Sequence, residues 1–303
     1  MPQIRANGIA IEYESLGSER NPAILMIMGF AAPLVFWRDS LCEGLAAEGF
    51  RVVRFDNRDI GRSTHLEALG TPDLGAMMAE LRNGRRPVAP YALDDMAADA
   101  AALLNALGIE RAHLVGDSMG GMIAQLVAIN HPQKAKSLVS IMSTTGRPGL
   151  PEAKPEAMAA LMAPPASESR EDLIARGVAI ARALASPGYP ASEEEMRAQR
   201  ARAVDWAPYD PSGLARQMAA VIAAAASPRN ASLARLGIPA LVMHGADDPL
   251  IPAAHGEDTG ASIPGADLRI VPGMAHDLPE SLVPLHLKTI SDFLAKVEGR
   301  APV

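Results

Sequence analysis

Residues 114–121 read Leu-Val-Gly-Asp-Ser-Met-Gly-Gly, and this stretch contains the most informative motif in the chain. Gly116–Gly120 fits G-x-S-x-G, a strand-to-helix turn that holds a serine in a strained, exposed position. The run Ala112–Val115 suits a buried strand before the turn, and Met119–Asn130 predicts a helix after it. Glycines flank the serine because so tight a turn brings backbone segments too close for side chains. Ser118 is therefore a candidate nucleophile.

The partners that a nucleophilic serine requires follow Ser118 along the chain. Such a serine needs a histidine base and a carboxylate that orients the histidine. An apolar run from residue 241 ends in a turn that holds Asp247 and Asp248, and a run from residue 268 leads to a loop with His276. Acid and base thus each follow a predicted parallel strand, at the edge where sites form in open α/β sheets.

Several independent motifs stand in one order along nearly the whole chain. They are Ile27–Phe30, Phe55–Ser63, Gly116–Gly121, Asp248-Pro249 with Pro252, and Pro272–His276. In type and order they resemble the α/β-hydrolases, and among these the esterases similar to aclacinomycin methylesterase. The resemblance implies an α/β fold with a mostly parallel eight-stranded sheet, helices on both faces and an inserted helical cap.

The resemblance also implies the roles of the candidate residues. Ser118 would attack an ester carbonyl, while His276 takes the proton and later returns it to the leaving alcohol. Family spacing from the preceding glycine assigns the orienting acid to Asp248 and leaves Asp247 as a turn residue. Asp277 adjoins the base, and we predict a loop role for it because an immediate neighbour rarely folds back onto Nδ1.

The tetrahedral intermediate needs donors for its oxyanion, and the resemblance places two on the backbone. One is the N–H of Met119, the residue after the nucleophile. The other is the N–H of Phe30, in the loop after the predicted strand Ala23–Met28. Related enzymes often carry His-Gly in this loop, whereas this chain has Met28-Gly29. A backbone donor does not depend on the missing histidine side chain.

Aromatic and methionine residues near these motifs indicate an apolar substrate pocket. Phe36 and Trp37 follow the oxyanion loop, Met142 ends a predicted strand, and with Gly29 they are the predicted pocket residues. The predicted function is a carboxylesterase-type serine hydrolase of small to medium uncharged esters, which acts through an acyl-enzyme on Ser118. The resemblance adds methyl esters of aromatic polyketides to the candidate substrates.

Strand and helix patterns divide the chain into a core and an insertion. Apolar runs alternate with amphipathic helical patterns before residue 144 and again after residue 231, which indicates a parallel sheet. From about Thr145 to Asn230 strand patterns vanish, and helix starts follow at Ser192 and Asp210. We predict a core of residues 1–144 and 231–303 and a helical cap of residues 145–230. A helical excursion on the flank is the alternative.

Other functions fit the same motifs. The triad also suits C–C bond hydrolysis of a dienoate, enol-lactone hydrolysis and cofactor-free perhydrolysis. The first two need a cationic group for the substrate carboxylate, for which Arg147, Arg176 and Arg182 in the insertion are candidates. A ligand receptor with vestigial hydrolysis is the alternative of another class, against which the intact triad argues. An aspartate-nucleophile dehalogenase or epoxide hydrolase is disfavoured because position 118 is serine.

The charged segment Phe55–Ser63 is predicted to be structural. It resembles the family's Asp-x-Arg-Gly-x-Gly-x-Ser turn, whose charged residues brace a loop after a strand. Asp59 replaces the usual glycine, so the local backbone is expected to differ.

Composition limits the classes of binding partner that the chain is expected to have. The formal charge of −7 argues against nucleic acid and anionic membranes. The single cysteine, Cys42, excludes an internal disulfide framework. The start of the chain lacks a signal peptide pattern, and no apolar run approaches the ~20 residues of a membrane span. We expect a cytoplasmic monomer or homodimer whose partner is a small-molecule ester.

The chain carries no motif for a cofactor. It lacks a P-loop and a G-x-G-x-x-G after a strand. The histidines other than His276 and the strand-end His244 have no carboxylate or cysteine at ligand spacing. We therefore expect no metal and no cofactor. These histidines are His65, His113, His131, His255 and His286.

Overall fold

The computed structural model describes residues 2–300, in which the strands form one eight-stranded sheet. The strands are β1 Gln3–Ala6, β2 Ile9–Leu16, β3 Ala23–Ile27, β4 Arg51–Phe55, β5 Ala112–Asp117, β6 Ala135–Ile141, β7 Ala240–Gly245 and β8 Asp267–Val271. Their order is β1-β2-β4-β3-β5-β6-β7-β8. β2 pairs antiparallel with β1 and β4, and the other neighbours are parallel. The predicted mostly parallel eight-stranded sheet is confirmed.

Eleven α-helices accompany the sheet within residues 2–300. They are α1 Asp39–Ala47, α2 Leu74–Arg82, α3 Leu93–Ala106, α4 Met119–Asn130, α5 Pro155–Met162, α6 Arg170–Ala183, α7 Glu193–Trp206, α8 Pro211–Ala224, α9 Asn230–Leu233, α10 Ala254–Ser262 and α11 Val283–Val297. None of those described combines the length and hydropathy that a membrane span requires.

Strand β3 shows how the sheet is covered on both faces. Leu25 and Ile27 belong to a hydrophobic cluster that includes α3 and α4. Ile24 and Met26, which point to the opposite face, belong to a second cluster with α1 and α11. All four side chains are fully buried, as expected of a parallel strand with helices on both sides. The prediction of helices on both faces is confirmed.

Helix α1 begins later than the local sequence indicates. Residues 36–48 have a pattern that predicts a helix, but Leu34–Phe36 forms a 3₁₀ turn and Arg38 has an extended backbone. The helix therefore starts at Asp39. Because of this break, Phe36 ends the 3₁₀ turn whereas Trp37 has an extended backbone, and their side chains lie in different environments.

Helix α2 has no counterpart among the sequence-based expectations. Asp73 caps it by accepting the N–H of Ala76. Met77 packs against Ala219 and Ile222 of α8 in a small separate cluster. The helix is short and its stabilising contacts lie far away in sequence, so the local pattern is weak.

Helices α5 to α8, termed here the inserted helices, lie between β6 and β7 in the chain. Ser192 caps α7 by accepting the Glu195 N–H, and Asp210 caps α8 with Pro211 at the first helical position. These two helix starts agree with the sequence pattern. α6 packs against α7, and α7 contacts the 3₁₀ turn Leu34–Phe36.

Candidate active site

Ser118 occupies a strained turn between β5 and α4. Its φ is 51° and its ψ is −121°, outside the regions that L-residues prefer. A Cβ on Gly116 would lie 2.2 Å from the Gly120 carbonyl oxygen, and one on Gly120 would lie 2.0 Å from the Ile27 carbonyl oxygen. Only glycine fits these positions. The strand–turn–helix context that the G-x-S-x-G pattern requires is thus present.

The structure brings Ser118, His276 and Asp248 together, although they are far apart in sequence. His276 Nε2 lies 3.0 Å from Ser118 Oγ. His276 Nδ1 lies 2.7 Å from Asp248 Oδ2. With Nδ1 donating to the carboxylate, Nε2 is left as the acceptor for the serine hydroxyl. This is the geometry of a nucleophile, its base and the group that orients the base.

The three neighbouring aspartates have distinct environments. Asp248 is buried, and its Oδ1 accepts the N–H groups of Leu250 and Ile251, both at 2.8 Å. Asp247 is exposed and its carboxylate accepts the Gly273 N–H at 2.8 Å, so it closes the turn. Asp277 accepts hydrogen bonds from Ser186 and does not contact the imidazole Nδ1. Of the three, the structure joins only Asp248 to His276.

Electrostatics favour the charged forms of both partners of the hydrogen bond. Burial lowers the pKa of His276, but the charge of Asp248 and its hydrogen bond outweigh burial, so the pKa lies above its usual value. Burial raises the pKa of Asp248, but His276 and the backbone N–H of Ile251 outweigh it and leave the pKa below its usual value. The carboxylate is therefore ionised at neutral pH and stabilises an imidazolium.

Asp117, directly before the serine, is a buried acid that sequence reasoning did not single out. Burial raises its pKa to about 7, opposed by the charge of His276 and the backbone N–H of Gly29. Its Oδ1 has no hydrogen-bond partner within residues 2–300. The negative charge of Asp117 in turn raises the pKa of His276. The charge of Asp117 therefore affects the pKa of His276 without a direct hydrogen bond between the two side chains.

In the mechanism that this geometry suggests, only the neutral imidazole of His276 accepts the serine proton, so we expect the reaction rate to rise with pH through the pKa of His276. The rise should lie above the usual pKa of histidine. Asp117→Asn removes a charge that raises this pKa, so the rise in kcat/KM should move to lower pH. The check is the pH profile of kcat/KM for parent and variant. Coincident profiles would contradict the coupling between Asp117 and His276.

The predicted oxyanion donors lie on two backbone segments that meet at the serine. Met119 is the first residue of α4, and Phe30 follows β3 in the loop that begins at Met28. A Cβ on Gly29 would lie 3.1 Å from Ser118 Cβ, so this loop passes directly beside Ser118. Within the described chain, neither the Met119 N–H nor the Phe30 N–H has a protein acceptor. Both are free to bind an oxyanion.

Two side chains that the sequence patterns did not reveal hold the oxyanion loop. Gln217 of α8 accepts the Ala31 N–H at 3.1 Å and donates to the Arg58 carbonyl oxygen at 2.8 Å. Asn57 donates to the Met28 carbonyl oxygen at 2.9 Å. Ala31 itself has a φ of 59°, so the loop needs such support. Gln217 belongs to no motif, and Asn57 lies in the Phe55–Ser63 motif, where only the charged residues were predicted to brace a loop.

The charged segment after β4 makes contacts within the protein. Asp56 accepts N–H groups from Leu34, Arg62 and Trp206. Arg58 forms a two-point ion pair with the buried Asp99. Asp59 has a φ of 63°, the left-handed region in which the family's glycine is more common. These contacts are those of a braced loop, as expected from the sequence.

Asp59, His65 and Asp210 form a cluster whose ligand atoms lie within 4.8 Å of one another. The histidine expectation is corrected here: carboxylates do lie beside His65, one from the nearby Asp59 and one from Asp210, which is distant in sequence. Asp59 already pairs with the fully buried Arg216 through contacts of 2.9 and 2.8 Å. Asp210 accepts from His65 and from the Gly213 N–H. The guanidinium supplies the positive charge that balances these acids.

A cavity of about 450 Å³ opens onto the serine hydroxyl. Among the predicted pocket residues, Gly29, Phe36 and Met142 line it. Trp37 does not, which corrects the prediction: its side chain is fully buried in the core cluster with α1 and α11. The break before α1 lies at these two residues: Phe36 ends the 3₁₀ turn and lines the cavity, whereas Trp37 has an extended backbone and is buried in the core. Most of the remaining wall is apolar, and the inserted helices contribute apolar side chains to it, including Met158, Leu161, Leu173, Ile180 and Met218.

Comparison with known proteins agrees with this arrangement. Residues 22–281 match the family model described as the alpha/beta hydrolase fold. The chain is 28% identical over 296 residues to rhodomycin D methylesterase DauP of Streptomyces sp. (strain C5), covering 91% of this chain and 92% of that protein. It is 25% identical over 254 residues to 3-oxoadipate enol-lactonase 2 of Acinetobacter baylyi, covering 84% and 82%.

A solved structure also supports the fold. A meta-cleavage product hydrolase from Pseudomonas fluorescens IP01 superposes with a TM-score of 0.73 at 18% identity, covering 98% of each chain. At that identity the likeness concerns the fold alone. The family model and the sequence relatives therefore support membership of the family and the resemblance to the methylesterase subgroup. Any argument about the chemistry rests on the residues of the site.

Proposed function

The chain belongs to the α/β-hydrolase family, and we propose that it is a serine carboxylic-ester hydrolase that forms an acyl-enzyme on Ser118. One observation carries the proposal: the hydrogen-bonded series from Ser118 Oγ through His276 to the buried Asp248, with contacts of 3.0 and 2.7 Å. Strain at Ser118 adds support, since such a backbone persists where function requires it.

The proposed reaction has two half-reactions on the same residues. Ser118 Oγ attacks the ester carbonyl carbon while His276 Nε2 takes the hydroxyl proton. His276 then gives this proton to the leaving alcohol as the C–O bond breaks, which leaves an acyl-serine. Water then attacks the acyl carbon while His276 takes its proton, and His276 returns that proton to Ser118 Oγ as the bond from Oγ to the acyl carbon breaks and the acid product leaves. Asp248 holds the imidazole tautomer and stabilises the imidazolium in both half-reactions.

The negative oxygen of each tetrahedral intermediate would be bound by the N–H groups of Phe30 and Met119. Loss of one such donor costs about 3–4 kcal/mol in other serine hydrolases. Gln217 and Asn57 fix the loop that presents Phe30, so they act as positioning residues. The N–H of Met119 is fixed by the helix that it begins.

We propose that the inserted helices act as a cap over the serine. Support comes from the cavity wall, to which α5, α6, α7 and α8 all contribute side chains together with Ser118 and His276. A mostly apolar cavity of about 450 Å³ fits a small to medium organic ester. The relative named rhodomycin D methylesterase makes methyl esters of aromatic polyketides one substrate class to test.

An enol-lactone is a second candidate substrate, since one relative is named 3-oxoadipate enol-lactonase 2. A lactone is a cyclic ester, so the same attack by Ser118 opens the ring and the alcohol product remains attached to the acyl group. Turnover of a 3-oxoadipate enol-lactone at a higher kcat/KM than any open-chain ester would select this candidate.

A series of 4-nitrophenyl esters of increasing acyl length tests the proposed function. We expect turnover of short to medium acyl chains, with a fall in kcat/KM once the acyl chain exceeds the length of the cavity. Release of 4-nitrophenolate gives the rate directly. Tight binding of a small ligand without turnover of any ester or lactone would instead indicate a receptor and would overturn the proposal.

A further inference from the structure

Arg200, on α7, lines the same cavity as Ser118 and lacks a polar partner. Its Nε is buried without a hydrogen-bond acceptor, and no carboxylate within residues 2–300 lies at ion-pair distance from it. A buried Nε–H without an acceptor is costly, because the group has left water and gained no compensating hydrogen bond. A buried polar group without a partner calls for a functional explanation, and a bound ligand could supply the missing acceptor.

The guanidinium is held in place by apolar contacts. Its central carbon lies 4.5 Å from the ring centroid of Phe36, over the face of the ring. Its aliphatic stem packs against Gly177 of α6, where an added Cβ would lie 2.9 Å from Arg200 Cγ. A planar donor that is fixed in advance loses little entropy when a ligand binds.

The surrounding charges leave Arg200 attractive to an anion. Two other cavity arginines already have partners: Arg38 pairs with Glu195, and Arg176 donates to the Ala163 carbonyl oxygen. Asp277 is the neighbouring acid, and its oxygens accept hydrogen bonds from Ser186.

Arg200 nevertheless stays charged at neutral pH. Burial, aided by the positive charge of Arg38, lowers the pKa of Arg200 only to about 10. A protonated guanidinium without an anionic partner therefore faces the cavity.

We propose that Arg200 forms an anion subsite that binds a carboxylate on the substrate, so that the preferred substrates are acidic esters, such as monoesters of dicarboxylic acids. The inference rests on the proposed function and refines its substrate class. A guanidinium edge pairs with a carboxylate through two parallel N–H···O bonds. The apolar part of the cavity would hold the carbon chain between the carboxylate and the ester.

A matched pair of esters tests the proposal. Mono-(4-nitrophenyl) glutarate and 4-nitrophenyl pentanoate share leaving group and chain length and differ by the terminal carboxylate. We expect the ratio of their kcat/KM values, acidic over neutral, to fall by about 10- to 100-fold in Arg200→Met, as for the loss of a charged hydrogen bond. Arg200→Lys, which keeps the charge and loses the planar edge, should give an intermediate ratio.

Arg182→Met is the control, because Arg182 is an exposed arginine of α6 that pairs with Glu193 and does not line the cavity. It removes the same charge from the inserted helices and should leave the ratio as in the parent. Thermal melts of each variant show whether the fold is retained.

Binding of glutarate, measured by calorimetry on the parent and Arg200→Met, separates this inference from the proposed function. Binding to the parent and its loss in the variant support the subsite even if no ester is hydrolysed. Equal ratios in parent and Arg200→Met, or no difference in glutarate affinity between them, would overturn the subsite while Ser118-dependent ester turnover still stands.

Discussion

Ser118→Ala is expected to lower kcat for any ester substrate by about 10⁵- to 10⁶-fold, the loss seen when a serine hydrolase loses its nucleophile. Within residues 2–300, the side-chain hydrogen bond of the Ser118 hydroxyl is to His276 Nε2 at 3.0 Å, so its removal leaves the base without a group to activate. Substrate binding should persist, because the cavity wall is unchanged. Steady-state kinetics with a 4-nitrophenyl ester measure the loss.

Ser143→Ala is the matched control for this experiment. The Ser143 hydroxyl donates to the Ser118 carbonyl oxygen at 2.7 Å, so the variant removes a neighbouring hydroxyl while Ser118 Oγ remains. We expect Ser143→Ala to retain far more activity than Ser118→Ala. Ser118→Ala protein with kcat near that of the parent would show that another group is the nucleophile.

Asp248→Asn is expected to lower kcat by about 10⁴-fold, as the equivalent change does in a serine protease. Oδ1 of Asp248 accepts two backbone N–H groups, so the amide oxygen of an asparagine is held there. The amide NH₂ then faces His276 Nδ1 and stabilises the tautomer in which Nε2 carries the proton. Nε2 can no longer accept the serine proton.

Asp247→Asn is the control for the acid assignment, because it makes the same change at the adjacent residue. Asp247 is exposed and accepts one hydrogen bond, from the Gly273 N–H. We expect kcat to change little and the stability of the turn to fall slightly. A larger loss of kcat at position 247 than at position 248 would refute the assignment.

Much of the fold is readable from local sequence because parallel strands leave uninterrupted apolar runs. The strands β3, β4 and β5 are buried over their whole length and β6 is buried except at Lys136, and the helix after the serine spans Met119–Asn130 as predicted. The nucleophile turn is readable because steric limits demand glycine at two fixed positions.

Other features depend on contacts between distant segments. Trp37 was predicted to line the pocket, but the 3₁₀ turn Leu34–Phe36 and the start of α1 at Asp39 leave its side chain buried in the core. The His65 cluster and the support from Gln217 join residues that are more than a hundred positions apart. Arg200 belongs to no motif, and only the tertiary structure shows that its Nε is buried without a hydrogen-bond acceptor.

The most direct test of the central claim is covalent trapping of the nucleophile. The parent protein is treated with a 4-nitrophenyl phosphonate, and the released 4-nitrophenolate, the intact mass and the modified peptide are determined. We predict one phosphonyl group per chain, located on Ser118, with complete loss of esterase activity and no labelling of Ser118→Ala. Labelling at another residue, or full activity in protein that carries the phosphonyl group on Ser118, would contradict the acyl-enzyme mechanism.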